Sequence, residues 1–226
     1  MENFNAKVVV LILTCKRPFY EGRLNENKST FDIMKRIGAT LVYLYADPTL
    51  SETTVVNRDL DTFNMTVPCI ESYDYLTRKI SLAYTYFAKT NCIGVLKIDD
   101  DTQIKTETIF AEEFLQLANK YDYFGVSEKT ILKRDGYLKY YSRAFIDEPL
   151  FRNIHHKIDY NITYFEGPFY YLSQKAIQIV IKTGVTLLFE DVGVGYVLTA
   201  SQDIQTYLWK GMFGPHVYWN ELDREK

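Results

Sequence analysis

Three consecutive carboxylates, Asp99-Asp100-Asp101, close the apolar run Ile93-Gly94-Val95-Leu96-Lys97-Ile98. The run is short and apolar, as a buried strand is, and the acids that end it are poor strand formers. Adjacent acids at such an end repel one another, and each loses hydration if the strand end is covered. Either the triplet is a solvated turn or a bound cation neutralises it. Hard oxygen donors suit Mg²⁺, Mn²⁺ or Ca²⁺.

The rest of the chain supplies the sheet that such a strand needs. Residues 7–14 (KVVVLILT) form a continuous apolar run, the pattern of a parallel strand covered on both faces. Pro18 stops that ladder. Residues 29–36 read as a short helix with Ser29 as its cap, and residues 39–45 as a second strand closed by Asp47-Pro48. This opening βαβ pattern predicts an α/β fold, a mostly parallel sheet flanked by helices. Further strands are expected at 66–70, 121–126, 137–141, 164–172 and 216–219. Tyr73, Leu76, Ile80, Ala83, Tyr84 and Phe87 recur at helical spacing, and residues 107–119 form another helix with Phe110, Phe114, Leu117 and Ala118 inward. Ser173 caps a helix over 174–182 that Gly184 ends, and a last helix runs from Glu190 to about Ser201.

A length of 226 residues fits a single domain. A formal charge of −3 gives no basic field for nucleic acid. The longest N-terminal apolar run, residues 8–13, is too short to span a bilayer. Cys15, Cys69 and Cys92 have no paired spacing and read as free thiols of a reducing compartment. These features predict a soluble, cytoplasmic protein with no membrane span and no nucleic-acid partner.

A second acidic segment, Glu190-Asp191-Val192-Gly193-Val194-Gly195, opens a predicted helix. Alone it is explained by the favourable contact of carboxylates with a helix N-terminus. Paired with the strand-end triplet it suggests more. One acidic site can hold a cation against a departing nucleotide diphosphate, and the other can deprotonate an acceptor hydroxyl. The loop Thr14-Cys15-Lys16-Arg17 follows the first strand, where open α/β sheets meet their ligands, so Arg17 or Lys16 is a candidate for a phosphate or base.

Four segments in order resemble the β-1,3-galactosyltransferase-like inverting glycosyltransferases, the group that includes the Fringe enzymes. They are Glu71-Ser72-Tyr73-Asp74-Tyr75-Leu76-Thr77-Arg78-Lys79, Lys97-Ile98-Asp99-Asp100-Asp101, Tyr164 through Ser173 (YFEGPFYYLS), and the Glu190-Asp191-Val192 segment. The resemblance implies a GT-A fold. It divides the single domain into a nucleotide-sugar half over about 1–105 and an acceptor and catalytic half over about 106–226. It also implies a nucleotide-sugar donor, most often a UDP-sugar carrying galactose or an N-acetylhexosamine, a glycan acceptor, and Mn²⁺ or Mg²⁺. By position, Asp101 ligates the metal with Asp99, and Asp99 and Asp100 sit beside ribose and donor sugar. Asp191 is the base. Thr14, Arg17, Lys79 and Glu190 belong to the donor site, Lys79 anchoring either donor or fold. His216 is either a further metal ligand or a structural histidine, and Gly167 either admits the acceptor or makes a plain turn.

The chain departs from that family at Pro168-Phe169 and at Asp74-Tyr75, and it lacks the usual anchor and luminal cysteines. A stand-alone microbial or viral enzyme, or a domain fused to or complexed with other glycosylation enzymes, is the expectation. Two other acid-rich patterns fail. A haloacid-dehalogenase phosphatase pattern wants Thr or Val where Gln103 stands, and an EF-hand loop wants Gly where Ile104 stands. A non-catalytic carbohydrate-binding or assembly module on the same fold is the alternative, discriminated by whether nucleotide binds.

Overall fold

A computed structural model describes residues 4–131, 162–184, 190–212, 214 and 217–218. Its centre is an eight-stranded sheet. In chain order the strands are β1 (Val8–Leu13), β2 (Thr40–Ala46), β3 (Thr54–Asp59), β4 (Thr62–Val67), β5 (Gly94–Asp99), β7 (Tyr123–Gly125), β10 (Phe169–Ser173) and β11 (Thr206–Leu208). Their spatial order is β11-β7-β10-β5-β1-β2-β4-β3. Six strands share one direction, and only β10 and the edge strand β3 oppose it. The short strands β6 (Gln103–Ile104) and β12 (Val217–Tyr218) pair with each other, as do β8 (Glu128–Ile131) and β9 (Ile162–Phe165).

The alternation of side chains along each strand divides the core into two layers. Val9 and Leu11 of β1 enter one hydrophobic cluster, with Ile80, Ala83, Tyr84 and Phe87 of α3 (Leu76–Phe87) and Ala176, Ile177 and Val180 of α5 (Gln174–Thr183). Val194, Val197 and Leu198 of α6 (Glu190–Thr199) join them. Val8, Val10 and Ile12 enter the other, with Phe31, Ile33 and Met34 of α2 (Lys28–Arg36). Phe110, Phe114 and Ala118 of α4 (Glu107–Lys120) complete that layer. A strand buried on both faces must be apolar at every position, which is why β1 and β2 read as unbroken runs.

Several elements differ from the sequence expectation. Pro18 does end the first strand's neighbourhood, but by opening α1 (Pro18–Glu26), since proline is preorganised for the first helical turn. The helix expected at 29–36 starts at Lys28, so Ser29 lies inside it, and Asn27 stands at the cap with its amide engaged elsewhere. The strand expected at 66–70 is β4, four residues earlier, joined to the unforeseen β3 through Leu60-Asp61. Asp61 takes a left-handed φ of 52°, which aspartate tolerates in tight turns. Tyr73 falls in a 3₁₀ turn before α3 and is 68% exposed rather than inward. The expected strand 164–172 is two strands, β9 and β10, because Phe169 N–H bonds back to Glu166 O and turns the chain. The expectations at 137–141 and at His216 lie outside the described residues, as do His155 and His156. Ser173 does cap α5, its hydroxyl accepting from Ala176 N at 3.2 Å.

Candidate functional site

Because β1, β2, β4 and β5 run parallel, the segments after Leu13, Ala46, Val67 and Asp99 all leave the same edge of the sheet. Antiparallel β10 brings its starting end to that edge, with Phe169 opposite Ile98 and Tyr170 opposite Lys97. The turn Glu166-Gly167-Pro168 therefore lies over the acid triplet. Pro168 O accepts from Asp99 N at 3.3 Å and from Thr102 Oγ1 at 2.9 Å. The N-terminus of α6 reaches the same place because Gly195 lets the helix seat against Tyr164 of β9, where a Cβ would clash.

Lys97 joins the two acidic segments. Its side chain is 1% exposed. Nζ donates to Asp99 Oδ1 at 2.5 Å and to Gly167 O at 2.5 Å, and lies 3.3 Å from Glu190 Oε1. The Tyr170 ring centroid is 5.9 Å away. Burial works against the ammonium, but Asp99 and Glu190, with Asp191 behind them, hold its pKa above the ordinary value. The next link is Gly167, whose N–H donates to Asp191 Oδ2 at 2.9 Å. Val192 N donates to Asp191 Oδ1 at 2.7 Å. A Cβ on Gly167 would stand 3.3 Å from Glu190 Oε1 and 3.4 Å from Asp191 Oδ2, so a side chain there would press the Glu190 carboxylate aside by a few tenths of an ångström. Burial, then the Glu190 charge, pushes the Asp191 carboxyl up to about 7 against the two backbone donors and Lys97.

Asp100 and Asp101 are buried, at 3% and 7% exposure. Arg23 of α1 faces both, Nη1 lying 3.4 Å from Asp100 Oδ1 and 3.5 Å from Asp101 Oδ2. Asn27 Nδ2 donates to Asp100 O at 2.5 Å. Asp100 Oδ2 is buried with no hydrogen-bond partner, and so is Thr14 Oγ1. Burial, with Asp99 and Asp101 adding to it, raises the Asp100 carboxyl to about 7; the Thr14 hydroxyl, close enough to act on it without completing a hydrogen bond, and then Arg23 ease this only in part. A buried carboxylate oxygen without a donor is the kind of atom a cation satisfies. Among the described residues no three His, Cys, Asp or Glu side chains converge as a cage. The orphaned Asp100 Oδ2, with Asp101 beside it, suits only a hard cation that takes one or two carboxylates and draws its other ligands from substrate phosphates and water.

The neighbouring part of the edge is braced differently. Lys79, 2% exposed, donates to Thr14 O and to Glu71 Oε1, both at 2.6 Å. Glu71 Oε2 accepts from Ala46 N at 2.8 Å. One lysine–carboxylate pair thus ties the ends of β1 and β2. Beside it a cavity of about 250 Å³ is lined by Pro48, Pro68, Cys69, Ile70, Tyr75 and Arg78. Arg17 is exposed at the start of α1. The three cysteines are free and buried, and burial raises the Cys15 thiol to about 11.

Of the residues singled out in the sequence, Asp99, Glu190 and Asp191 meet around Lys97 and Gly167, and Asp100, Asp101 and Thr14 lie next to them. Lys97 itself had a legible signal, since a lysine inside an apolar strand requires a buried counter-charge. Arg23 had none, because it sits on a helix without an apolar face.

No protein-family model matches the chain, and no curated protein matches it. Solved structures do. One, assigned as a glucose-1-phosphate thymidylyltransferase from Bacillus anthracis in complex with a sucrose, superposes with a TM-score of 0.53 at 9% identity, over 94% of this chain and 88% of the other. A197 from STIV matches with a TM-score of 0.45 at 9% identity, over 90% of this chain and 82% of that one. The class defined here is that of the fold: an α/β chain with a mostly parallel, Rossmann-like sheet of the GT-A and nucleotidyltransferase type. Among the described residues no helix is long and apolar enough to cross a membrane.

Proposed function

We propose that the chain is a metal-dependent inverting glycosyltransferase, similar to the Fringe-related β-1,3-galactosyltransferases. It moves a galactose- or N-acetylhexosamine-type sugar from a UDP-sugar to a carbohydrate hydroxyl. The observation that carries this reading is the Lys97 joint, which holds Asp99 of the strand end and Glu190 of the helix start on one ammonium. Two acidic segments, 91 positions apart from Asp99 to Glu190, are thereby kept at one sheet edge with different surroundings, as an acid–base division of labour requires.

Asp191 takes the acceptor proton. Its elevated pKa matches it to a hydroxyl at neutral pH, and the Gly167 N–H fixes its Oδ2. The acceptor oxygen forms a bond to the anomeric carbon as the bond to the diphosphate breaks on the opposite side, and the configuration inverts. Asp101 and Asp99, with Asp100 beside them, would hold Mn²⁺ or Mg²⁺; His216, outside the described residues, is either a further donor or a structural histidine. The bound cation supplies charge neutralisation at the leaving diphosphate. Thr14 and Arg17 face that diphosphate, and Glu190 and Asp100 border the donor sugar. Lys79 keeps the loop after β1 in place, and the cavity lined by Tyr75 and Arg78 takes the base.

Nucleotidyl transfer on the same fold is the competing reading. Its nucleophile, a sugar phosphate, is already an anion and gains nothing from a base. The placement of Asp191 beside Glu190, its two oxygens fixed by the Gly167 and Val192 N–H groups, gives a base a task only in glycosyl transfer and so favours that reading.

Calorimetric titration with UDP, UDP-sugars and other nucleotides, in Mn²⁺ and in a chelator, tests the reading. Metal-dependent binding of UDP or a UDP-sugar is expected. Absence of nucleotide binding in every condition would reject it in favour of the carbohydrate-binding module.

A further inference from the structure

Glu166 takes no part in holding the metal or moving the proton, yet it lies one peptide bond from the base. The N–H of the Glu166–Gly167 peptide donates to Asp191 Oδ2 at 2.9 Å. Its own carboxylate is fixed elsewhere. Ser127 O accepts from Glu166 N at 3.0 Å, Ser127 Oγ donates to Glu166 Oε2, and Lys129 Nζ lies 3.8 Å from Glu166 Oε1. Because β8 and β9 pair with Glu128 opposite Phe165 and Lys129 opposite Tyr164, the side chains of Ser127, Lys129, Tyr164 and Glu166 share one face of that ribbon. The face turns toward α6, since a Cβ on Gly195 would meet Tyr164 Cβ first. Along the sheet edge the order is the acid triplet after β5, the Gly167 turn before β10, and Ser127 after β7. Between them Gly167 leaves a notch: the point its Cβ would take is 3.3 Å from Glu190 Oε1, 3.4 Å from Asp191 Oδ2 and 3.6 Å from Lys97 Nζ. Glu190 is 5% exposed, and its Oε1 accepts no hydrogen bond among the described residues.

We infer that Glu166, Ser127 and Lys129 form the acceptor subsite, and that the acceptor is a neutral sugar with two adjacent hydroxyls, one given to Asp191 and its neighbour to Glu166. The inference rests on the proposed reading that Asp191 is the base of a glycosyl transfer. With the diphosphate at the triplet, in-line attack brings the acceptor from the other side of the base, where β7 ends and Glu166 is held. A carboxylate only accepts hydrogen bonds, an ammonium only donates them, and a hydroxyl does both. The Glu166–Lys129 pair therefore matches the hydroxyls of a sugar diol. An acidic acceptor would meet Glu166, Glu190 and Asp191 together and be repelled. Ser127 fixes Glu166 Oε2 in advance, so little side-chain freedom is lost when the acceptor binds.

The test uses the whole chain in Mn²⁺, with UDP-galactose and UDP-N-acetylglucosamine as donors. The acceptors are the methyl β-glycosides of galactose, glucose, N-acetylglucosamine and glucuronic acid. Chromatography separates transfer from hydrolysis of the donor. The wild type should transfer to at least one neutral glycoside in preference to the glucuronide. In Glu166→Gln the acceptor KM should rise on the order of tenfold to a hundredfold, the loss that goes with a hydrogen bond to a charged group. The share of donor lost to water should rise with it, and UDP affinity in Mn²⁺ should match wild type, which reports an intact fold. Ser127→Ala, which leaves the carboxylate unanchored, should raise the acceptor KM a few-fold. An unchanged KM in Glu166→Gln, transfer and hydrolysis falling in parallel, or transfer to the glucuronide alone overturns the subsite and leaves the proposed function standing. Should Glu166→Gln lose UDP affinity, Ser127→Ala decides, and an unchanged acceptor KM there overturns the subsite. Metal-dependent UDP binding with transfer to none of these glycosides overturns it too. No metal-dependent UDP binding in wild type removes both the subsite and the proposed function.

Discussion

Lys79 and Lys97 are both buried lysines at the carboxyl edge of one sheet, and their surroundings shift their pKa values in opposite directions. Each donates to a backbone carbonyl and to a carboxylate at 2.5 to 2.6 Å. Lys79 has Glu71, whose side chain is 26% exposed and whose second oxygen is taken by Ala46 N. Burial outweighs that one charge, and the Lys79 pKa is lowered. Lys97 faces Asp99 and Glu190 with Asp191 close behind, and its pKa is raised in spite of deeper burial. A lysine matched by one fully used carboxylate is a brace. A lysine outnumbered by carboxylates marks a place where negative charge is kept in excess, and such surplus collects at functional sites.

The sharpest way to break this contrast is to neutralise one carboxylate on each side. Asp191→Asn should lower sugar transfer at least ~1000-fold, on the order of 4 kcal/mol of transition-state stabilisation. Metal-dependent UDP binding should persist. Glu71→Gln should change turnover only a few-fold while lowering stability. Donor turnover is read as UDP release, and binding by calorimetry. Comparable turnover losses in both variants would erase the distinction between brace and site.

The lysines themselves give the next effect. Lys97→Met removes the ammonium that Asp99 and the buried Glu190 share, and breaking a buried pair in this way costs roughly 3–5 kcal/mol. Lys79→Met strands only Glu71, which retains a hydrogen bond from Ala46 N and some contact with water. About half that loss is expected. Urea unfolding of the two variants checks the order. A greater loss for Lys79→Met contradicts it.

The contrast was only partly legible in the sequence. Strands β1, β2 and β5 announce themselves because a doubly covered strand must be apolar throughout. The acid triplet was conspicuous for the same reason: it interrupts a buried pattern. The β3–β4 hairpin was missed because β3 is an edge strand, largely exposed, with polar Asn57, Arg58 and Asp59 at its end and no apolar run to show it. The break between β9 and β10 hid inside one aromatic-rich stretch, since a turn at Glu166-Gly167-Pro168 changes direction without changing composition. Asp99 and Asp191 could be named as candidates from the sequence. Their convergence could not, because it depends on the antiparallel register that sets Tyr170 against Lys97 and so puts Gly167 above the triplet. Arg23 lies on a helix without an apolar face, and only tertiary placement gives it a role.

The smallest and most diagnostic effect is a reversed pH dependence of stability. Asp100 and Asp191 have folded-state pKa values raised to about 7, in each case chiefly by burial. An unfolded aspartate titrates near 3.9. Between about pH 4 and 7 the folded chain therefore binds more protons at these two sites than the unfolded chain does. Their contribution to stability is complete below about pH 4 and is lost as the pH rises through about 7. Most paired carboxylates act in the other direction; Asp47, whose pKa is lowered by its bonds to Thr49, is one example. In a chelator, the urea midpoint of the wild type should fall between pH 5 and pH 8. Asp100→Asn should flatten part of that fall, and Lys79→Met should keep it, because neither aspartate touches that lysine. Mn²⁺ at pH 8 should restore the midpoint by holding the carboxylates ionised in the folded state. A midpoint that rises from pH 5 to pH 8 in chelator would mean that the excess charge around Lys97 is already compensated, and the distinction between the two lysines would then reduce to depth of burial alone.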